Sequence, residues 1–205
     1  IEANARLYID QEREKFSKET LMDMYDNVFK EDKVFVHAHF GTNEIDDIFA
    51  KLRYLIVGCD CKWIVVDHLH MLVSAVHEGD ERRAIDSIMT RLRSLVEETG
   101  AGLILVSHLR RVDGNKGHEN GIEVSLSHLR GSNSIGQLSD CVIALERNQQ
   151  SSDELEARTT KLRVLKSRYT GDVGMASSLV YDKDTGRLSE DDVSEFEVED
   201  NAISI

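Results

Sequence analysis

The sequence predicts an α/β domain with a mainly parallel sheet, flanking helices and a C-terminal β-hairpin. Three observations carry that reading. Two short apolar runs, Trp63-Ile64-Val65-Val66 and Leu103-Ile104-Leu105-Val106, each stop at a polar residue, Asp67 and Ser107-His108. Runs of that length rich in β-branched side chains suit strands buried on both faces of a parallel sheet. Between and before them stand segments with apolar residues at helical spacing, and such alternation implies right-handed crossovers. Near its end the chain carries two strand-like segments, Arg158 to Ser167 and Ala176 to Tyr181, followed by Asp182-Lys183-Asp184-Thr185-Gly186, the composition of a turn.

From Ile1 to about Lys30, Leu7, Phe16, Leu21, Met24, Tyr25, Val28 and Phe29 fall at roughly helical spacing in a charged background, which reads as one or two surface helices. Lys33 to His39 is expected to be a short strand. Glu44 to Val57 carries the stripe Ile45, Ile48, Phe49, Leu52, Leu55-Ile56 and reads as a helix stopped at Gly58. After the Trp63–Asp67 strand a loop is expected through Val76–Asp80. Glu81 to Thr99 is a second amphipathic helix (Ile85, Ile88, Met89, Leu92, Leu95, Val96) closed by Gly100. Gly102 to Ser107 is the next strand, and Val112 to Gly121 a polar, glycine-rich loop. Ser127 to Gln137 leads into a short helix, Ser139 to Arg147 is a strand, and Asn148 to Ala157 a polar turn. Arg158 to Ser167 and Ala176 to Tyr181 make the hairpin. No proline punctuates the chain and no internal repeat is present.

At 205 residues the chain suits one α/β domain. No apolar run approaches a membrane span, so no membrane partner is expected. Three cysteines, Cys59, Cys61 and Cys141, lack metal-site spacing and suit a reducing cytoplasm. Net charge is −13, which by itself speaks against nucleic acid. Seven of those charges sit between Ser189 and Ile205 with no basic residue among them, leaving the rest at −6. Residues 189–205 therefore read as an acidic disordered tail, and residues 1–188 as the folded domain.

Chemistry concentrates at strand ends. Ligands of open α/β sheets bind outside the carboxyl ends of the strands. Asp67 stands there, and a carboxylate in that place suits Mg2+, a hard ion that keeps several waters beside a phosphate. His108 stands at the corresponding end of the next strand. It can touch a terminal phosphate and report its loss, or be a hydrogen-bonded structural histidine. Arg110, Arg111, Lys116 and His118 follow it; they suit the backbone of a single nucleic-acid strand, or are ordinary surface charges. Arg168 follows the strand ending at Ser167 and can serve a neighbouring subunit's nucleotide or be a surface residue. A rival constellation joins His37-Ala38-His39, His68-Leu69-His70 and Asp67, which resemble the ligand supply of a hydrolytic zinc site.

Taken in order, Ile64-Val65-Val66-Asp67-His68, Asp80-Glu81-Arg82-Arg83, Val106-Ser107-His108-Leu109, Leu129-Arg130-Gly131-Ser132 with Gln137-Leu138-Ser139-Asp140, Ala144 to Gln150, and Leu165-Lys166-Ser167-Arg168-Tyr169-Thr170-Gly171-Asp172-Val173-Gly174 resemble the motifs of the DnaB-like hexameric replicative DNA helicases. The likeness is greatest to the helicase domain of podovirus-type bacteriophage primase-helicases, with the mitochondrial helicase Twinkle as a cousin, and covers about residues 40–188. It implies a RecA-like P-loop NTPase core. It also implies an ATP-dependent helicase that moves 5′ to 3′ on single-stranded DNA in the cytoplasm of a phage-infected cell.

The same resemblance implies residue roles. Asp67 orders Mg2+, His108 senses the γ-phosphate, and Arg168 is the arginine finger with Lys166 beside it. Tyr181 stacks on the base of ATP or dTTP with Arg147 near it, and Gln137 couples nucleotide state to DNA. Arg110 and Lys116, with Arg130 and Gly131 in the neighbouring loop, grip single-stranded DNA in a homo-oligomeric ring, a hexamer or heptamer. The acidic tail resembles one that contacts DNA polymerase, although it ends in Ile205 and not in an aromatic residue. No G-x-x-x-x-G-K-[ST] is present, so the phosphate cradle is missing from these residues. The chain is expected to be the C-terminal part of a longer reading frame, with weak or no turnover by itself. A non-catalytic DNA-binding or ring-assembly module is the alternative reading.

Overall fold

The structure, a computed structural model, describes residues 17–29, 34–36, 44–74, 80–112, 117–183 and 186–190. Helix α1 spans Lys18–Phe29. Residues 34–36 carry no strand, and the remainder of the strand expected over 33–39 lies outside the described residues. Helix α2, Ile45–Val57, starts and stops where its apolar stripe does, with the Gly58 amide closing on the Tyr54 carbonyl. Strand β1 is Trp63–Val66.

Where a loop was expected, a five-residue helix α3 follows at Leu69–Val73. Leu69 and Leu72 explain it, because both are buried, one turn apart, against the helix behind the sheet. That helix, α4, is Glu81–Thr99. Asp80 caps it by accepting from the Arg82 amide at 3.0 Å, satisfying one of the donors a helix start leaves over. Gly100 ends it in the left-handed conformation at φ 71°, which glycine adopts without a Cβ penalty. Strand β2, Gly102–Leu105, pairs parallel with β1, Val65 opposite Ile104.

A 3-10 turn at Leu126–His128 and helix α5 at Ser134–Leu138 lead into β3, Cys141–Glu146. The polar turn expected next contains a one-turn helix α6, Glu154–Arg158, capped by Asp153. Strands β4 (Thr159–Ser167), β5 (Gly174–Tyr181) and β6 (Leu188–Glu190) complete an antiparallel sheet in the order β3-β4-β5-β6. The antiparallel part is therefore larger than a hairpin, since β3 and β6 flank it. Ser189 and Glu190 belong to this sheet, not to the acidic tail, and the residues after them lie outside the described ones.

The core lies between the β1–β2 pair and α2, α3 and α4, where Ile48, Leu69, Leu72, Ile85, Ile88, Met89, Leu92 and Ile135 are buried together. Each such side chain contributes about 1.5–3 kcal/mol relative to exposure. The second face is different. Trp63 and Val65 of β1, Ile104 of β2 and Ile143 and Leu145 of β3 are exposed, Val65 by 64% and Leu145 by 66%. The strands expected to be buried on both faces are covered on one among the described residues. Between the starts of β1, β2 and β3 a cavity of about 600 Å³ is lined by Trp63, Arg93, Gly102, Asp140 and Tyr169.

Candidate functional site

The β1–β2 ladder runs on past both strands and brings the strand ends together. The Val106 amide donates to the Val66 carbonyl at 3.0 Å, and the Leu69 amide donates to the Val106 carbonyl at 2.9 Å. Asp67, His68 and His108 therefore share one edge, as the sequence implied. The Asp67–His68 peptide is cis. The Asp67 carboxylate is exposed and has no hydrogen bond or ion pair among the described residues. A free carboxylate at the carboxyl end of a strand, beside a groove that His68 also lines, fits a hard divalent ion with its water shell. Asp67 is the residue at this edge that could hold such an ion.

His108 leads into a second ladder. The Arg110 amide donates to the His128 carbonyl at 2.8 Å, and the Arg130 amide to the His108 carbonyl at 3.1 Å, so Leu109 faces Leu129 in an antiparallel bridge. Two segments that are twenty residues apart in the chain thereby set Arg110 opposite His128 and Arg130 opposite His108, with the two arginines on the diagonal of one bridge. The Arg110 side chain is exposed and unpartnered among the described residues, while Arg130 meets Glu81 at 3.3 Å. Gly131 turns the chain at φ 102°, and a Cβ there would run into Ile85. Ser132, buried next to it, donates to Asp86, and this hydrogen bond holds the Asp86 pKa below its ordinary value. Lys116 lies outside the described residues.

Lys166 and Arg168 sit at the other end of the sheet. The Lys166 ammonium donates to the carbonyls of Gly136, Gln137 and Ser139 at 2.7, 3.1 and 2.8 Å, taking up the free acceptors at the end of α5. A contact with nucleotide would require exchanging one of these bonds. Arg168 donates to the Gln137 carbonyl at 3.1 Å and pairs with Asp140 at 2.9 Å. Gln137, expected to couple the two ligands, thus touches both cations through its backbone. Asp140 lines the cavity with Trp63 at the start of β1, whereas Asp67 follows the end of that strand.

Arg147 and Tyr181 share the far end of the antiparallel sheet. Glu146 is opposite Lys161, which is opposite Ser178, so both residues lie beyond the same rung. Arg147 donates to the Ala157 carbonyl at 2.7 Å and lines a cavity of about 500 Å³ with Asn148, Glu156 and Lys161; Tyr181 does not line it. Along β4, with nine residues, this end is roughly 26 Å from Arg168.

Two features escaped the sequence reading. Glu146, 6% exposed, accepts from Arg163 at 2.8 Å and from the Val124 amide at 2.8 Å, and the bond to Glu146 raises the Arg163 pKa. Only cross-strand register, Glu146 near Arg163, could have signalled it. The second is a cluster of His68, His70 and His108, with ligand atoms within 4.8 Å of one another. His70 has a side chain only 9% exposed, and burial, with Arg130 and His108 next, pushes its pKa below 6.5. The rival zinc constellation is not formed as drawn: Asp67 is not part of the cluster, and His37 and His39 lie outside the described residues.

A parallel strand pair ending in Asp67 and His108, backed by α2–α4, defines a RecA-like domain. Two solved structures share that fold. One, of a DnaB-like replicative helicase and its interactions with primase, aligns with a TM-score of 0.70 at 20% identity over 90% of this chain and 45% of that one. The other, the KaiC-like protein PH0186 from Pyrococcus horikoshii OT3, aligns with a TM-score of 0.52 at 13% identity over 84% of this chain and 70% of that one. The profile of the DnaB-like helicase C-terminal domain matches residues 4–190, and the chain belongs to that family. A DNA helicase/primase of Enterobacteria phage T3 is 42% identical over 166 residues, 81% of this chain and 29% of the phage protein. The chain thus spans under a third of the length of that relative. Among the described residues no helix is long and apolar enough to cross a membrane.

Proposed function

We propose that the chain is the C-terminal part of the motor of a replicative DNA helicase, which moves 5′ to 3′ along single-stranded DNA and unwinds duplex at a fork. The observation that carries this reading is the ladder joining His108 to Arg110 and Arg130. It sets a strand end suited to sensing phosphate two residues from Arg110 and opposite Arg130, cations suited to a DNA backbone. With ATP or dTTP and Mg2+ bound, the nucleotide supplies the phosphoryl-transfer chemistry at Asp67. The protein's own part is to hold the ion with Asp67, to lay the His108 imidazole beside it, and to carry any shift of that strand end into the paired loop.

The opposite placement of Arg168 supports a ring. An arginine held by Asp140 near the start of β1, while Asp67 follows the end of that strand, is assigned to a nucleotide on an adjacent copy, as in arginine-finger NTPases. Tyr181 and Arg147 are assigned to the base. Residues 1–188, extended by Ser189 and Glu190, form the motor part, and the acidic residues after them are assigned to a polymerase partner.

The test is single-stranded DNA binding by fluorescence anisotropy over a salt series, wild type against Arg110→Ala/Lys116→Ala. Each lost phosphate contact lowers the salt slope by about 0.7 on a single strand, so the double variant should lose about 1.4. An unchanged slope overturns the assignment of these loops to DNA. Nucleotide turnover by the 205-residue chain that Asp67→Ala abolishes would overturn the expectation that the chain needs a phosphate loop from elsewhere.

A further inference from the structure

We propose that His68, His70 and His108 form a binding site for a divalent ion of the zinc class. The inference goes beyond the motor reading and does not rest on it. The three imidazoles come from separate pieces of local structure. His68 precedes α3, His70 lies in its first turn, and His108 follows β2; the bond from the Leu69 amide to the Val106 carbonyl clamps these pieces together. Ring centroids lie 4.1 Å apart for His68 and His108, 5.4 Å for His70 and His108, and 6.0 Å for His68 and His70.

Hydrogen bonding leaves the cluster unexplained. Among the described residues, Nδ1 of His68 and both ring nitrogens of His70 are buried without a hydrogen-bond partner. Buried polar atoms in native folds are nearly always satisfied, and an orphaned one needs an ion, a water or a function to account for it. One nitrogen from each ring lies within 4.8 Å of the other two. Zinc bonds to imidazole nitrogen are about 2.0–2.1 Å, so donors around one ion stand about 3.4 Å apart in a tetrahedron. The rings must close by about an ångström or so to reach that spacing, and His108, the exposed member, has the room to turn.

The donor set chooses the ion. Three neutral imidazoles are poor ligands for Mg2+ or Ca2+, which take oxygen, and good ones for Zn2+, Co2+, Ni2+ or Cu2+. The Glu81 carboxylate, 4.0 Å from His70 Nε2, is within reach of an orienting role of the kind metal-bound histidines commonly use. It also pairs with Arg130, which offsets the nearest positive charge. Three protein ligands leave the fourth position to water. An ion held there ties the end of β2 to α3 and withdraws His108 from any other partner.

The experiment is a titration of the 205-residue chain with Co2+, read by its visible absorption, followed by displacement with Zn2+. One equivalent with tetrahedral d–d bands is expected, bleached by Zn2+. His70→Asn and the exposed His108→Asn should each weaken it by ~100-fold or more, given that loss of partners one shell further out already costs 10–100-fold. His118→Asn, at the separate His118–His128 contact, should leave it unchanged. If His70→Asn fails to fold by circular dichroism, His108→Asn decides. Absence of saturable binding, or binding that both variants retain, overturns the proposal. So does a thiolate charge-transfer band lost in Cys59→Ser/Cys61→Ser.

Discussion

Arg168 is joined to Asp140 twice, its amide donating to the Asp140 carbonyl at 2.8 Å and its guanidinium meeting the Asp140 carboxylate at 2.9 Å. The same carboxylate receives Arg93 of α4 at 2.7 Å. One half-buried acid thereby connects a helix on the core side to the turn after β4. We expect Asp140→Asn to lower unfolding free energy by about 1–3 kcal/mol, because two guanidinium groups lose their counter-charge and one of them faces an amide donor in place of an acceptor. Urea unfolding measures it. A midpoint within error of wild type would mean both ion pairs are fully compensated by water.

Lys166→Met should cost about 1–3 kcal/mol by the same measurement, since it leaves three carbonyls at the end of α5 without their donor. Lys166→Arg is not expected to restore it, because a planar fork does not match three convergent carbonyls as an ammonium does.

Gly131 and Gly100 both have positive φ, yet replacing them should differ. At Gly100 an added Cβ meets nothing within 4 Å, so Gly100→Ala carries only the left-handed backbone cost, about 1–2 kcal/mol. Gly131→Ala adds a collision with Ile85 in the core and should cost clearly more. Equal losses would remove the packing argument.

Acid unfolding should feel Asp86. The hydrogen bond from Ser132 holds its pKa below the ordinary 3.8, with Arg82 adding to the effect. A carboxylate depressed in the folded state contributes stability that is present above its unfolded pKa and lost as pH falls through the folded one. Ser132→Ala should therefore destabilise the chain near neutrality and by progressively less as pH drops below the ordinary aspartate value. A gap between the two proteins that stays constant down the acid limb would assign the loss to packing.

The exposed apolar side chains of the two sheets should behave as a surface. Ile104→Thr/Leu145→Thr should change unfolding free energy by less than about 0.5 kcal/mol per site, as for exposed positions, while reducing self-association in sedimentation. A loss of several kcal/mol would show that these side chains are covered in solution.

How much was legible follows from what each element depends on. β1, β2, α2 and α4 were readable because period and caps are local: Asp80 and Gly100 mark α4 to the residue. α3 and α6, five residues each, were missed because a single turn gives no periodicity to detect. The exposure of Trp63 and Val65 was also out of reach, since an apolar strand reads the same whether one face or two are covered. At the site, Asp67 and His108 could be paired by analogy of position alone. The meeting of His70 with His108 could not, because it depends on how α3 folds back onto β2.

The Leu109–Leu129 bridge has a mechanical consequence. Its two hydrogen bonds close a ring that includes the carbonyls of His108 and His128, so neither segment can slide along the other without breaking both. Because side chains alternate in such a ladder, a slip of one residue in either segment would turn the arginine it carries, Arg110 or Arg130, to the opposite side. Residues 108–110 and 128–130 therefore travel as one rigid link, and a tug on either is delivered to the other without slack.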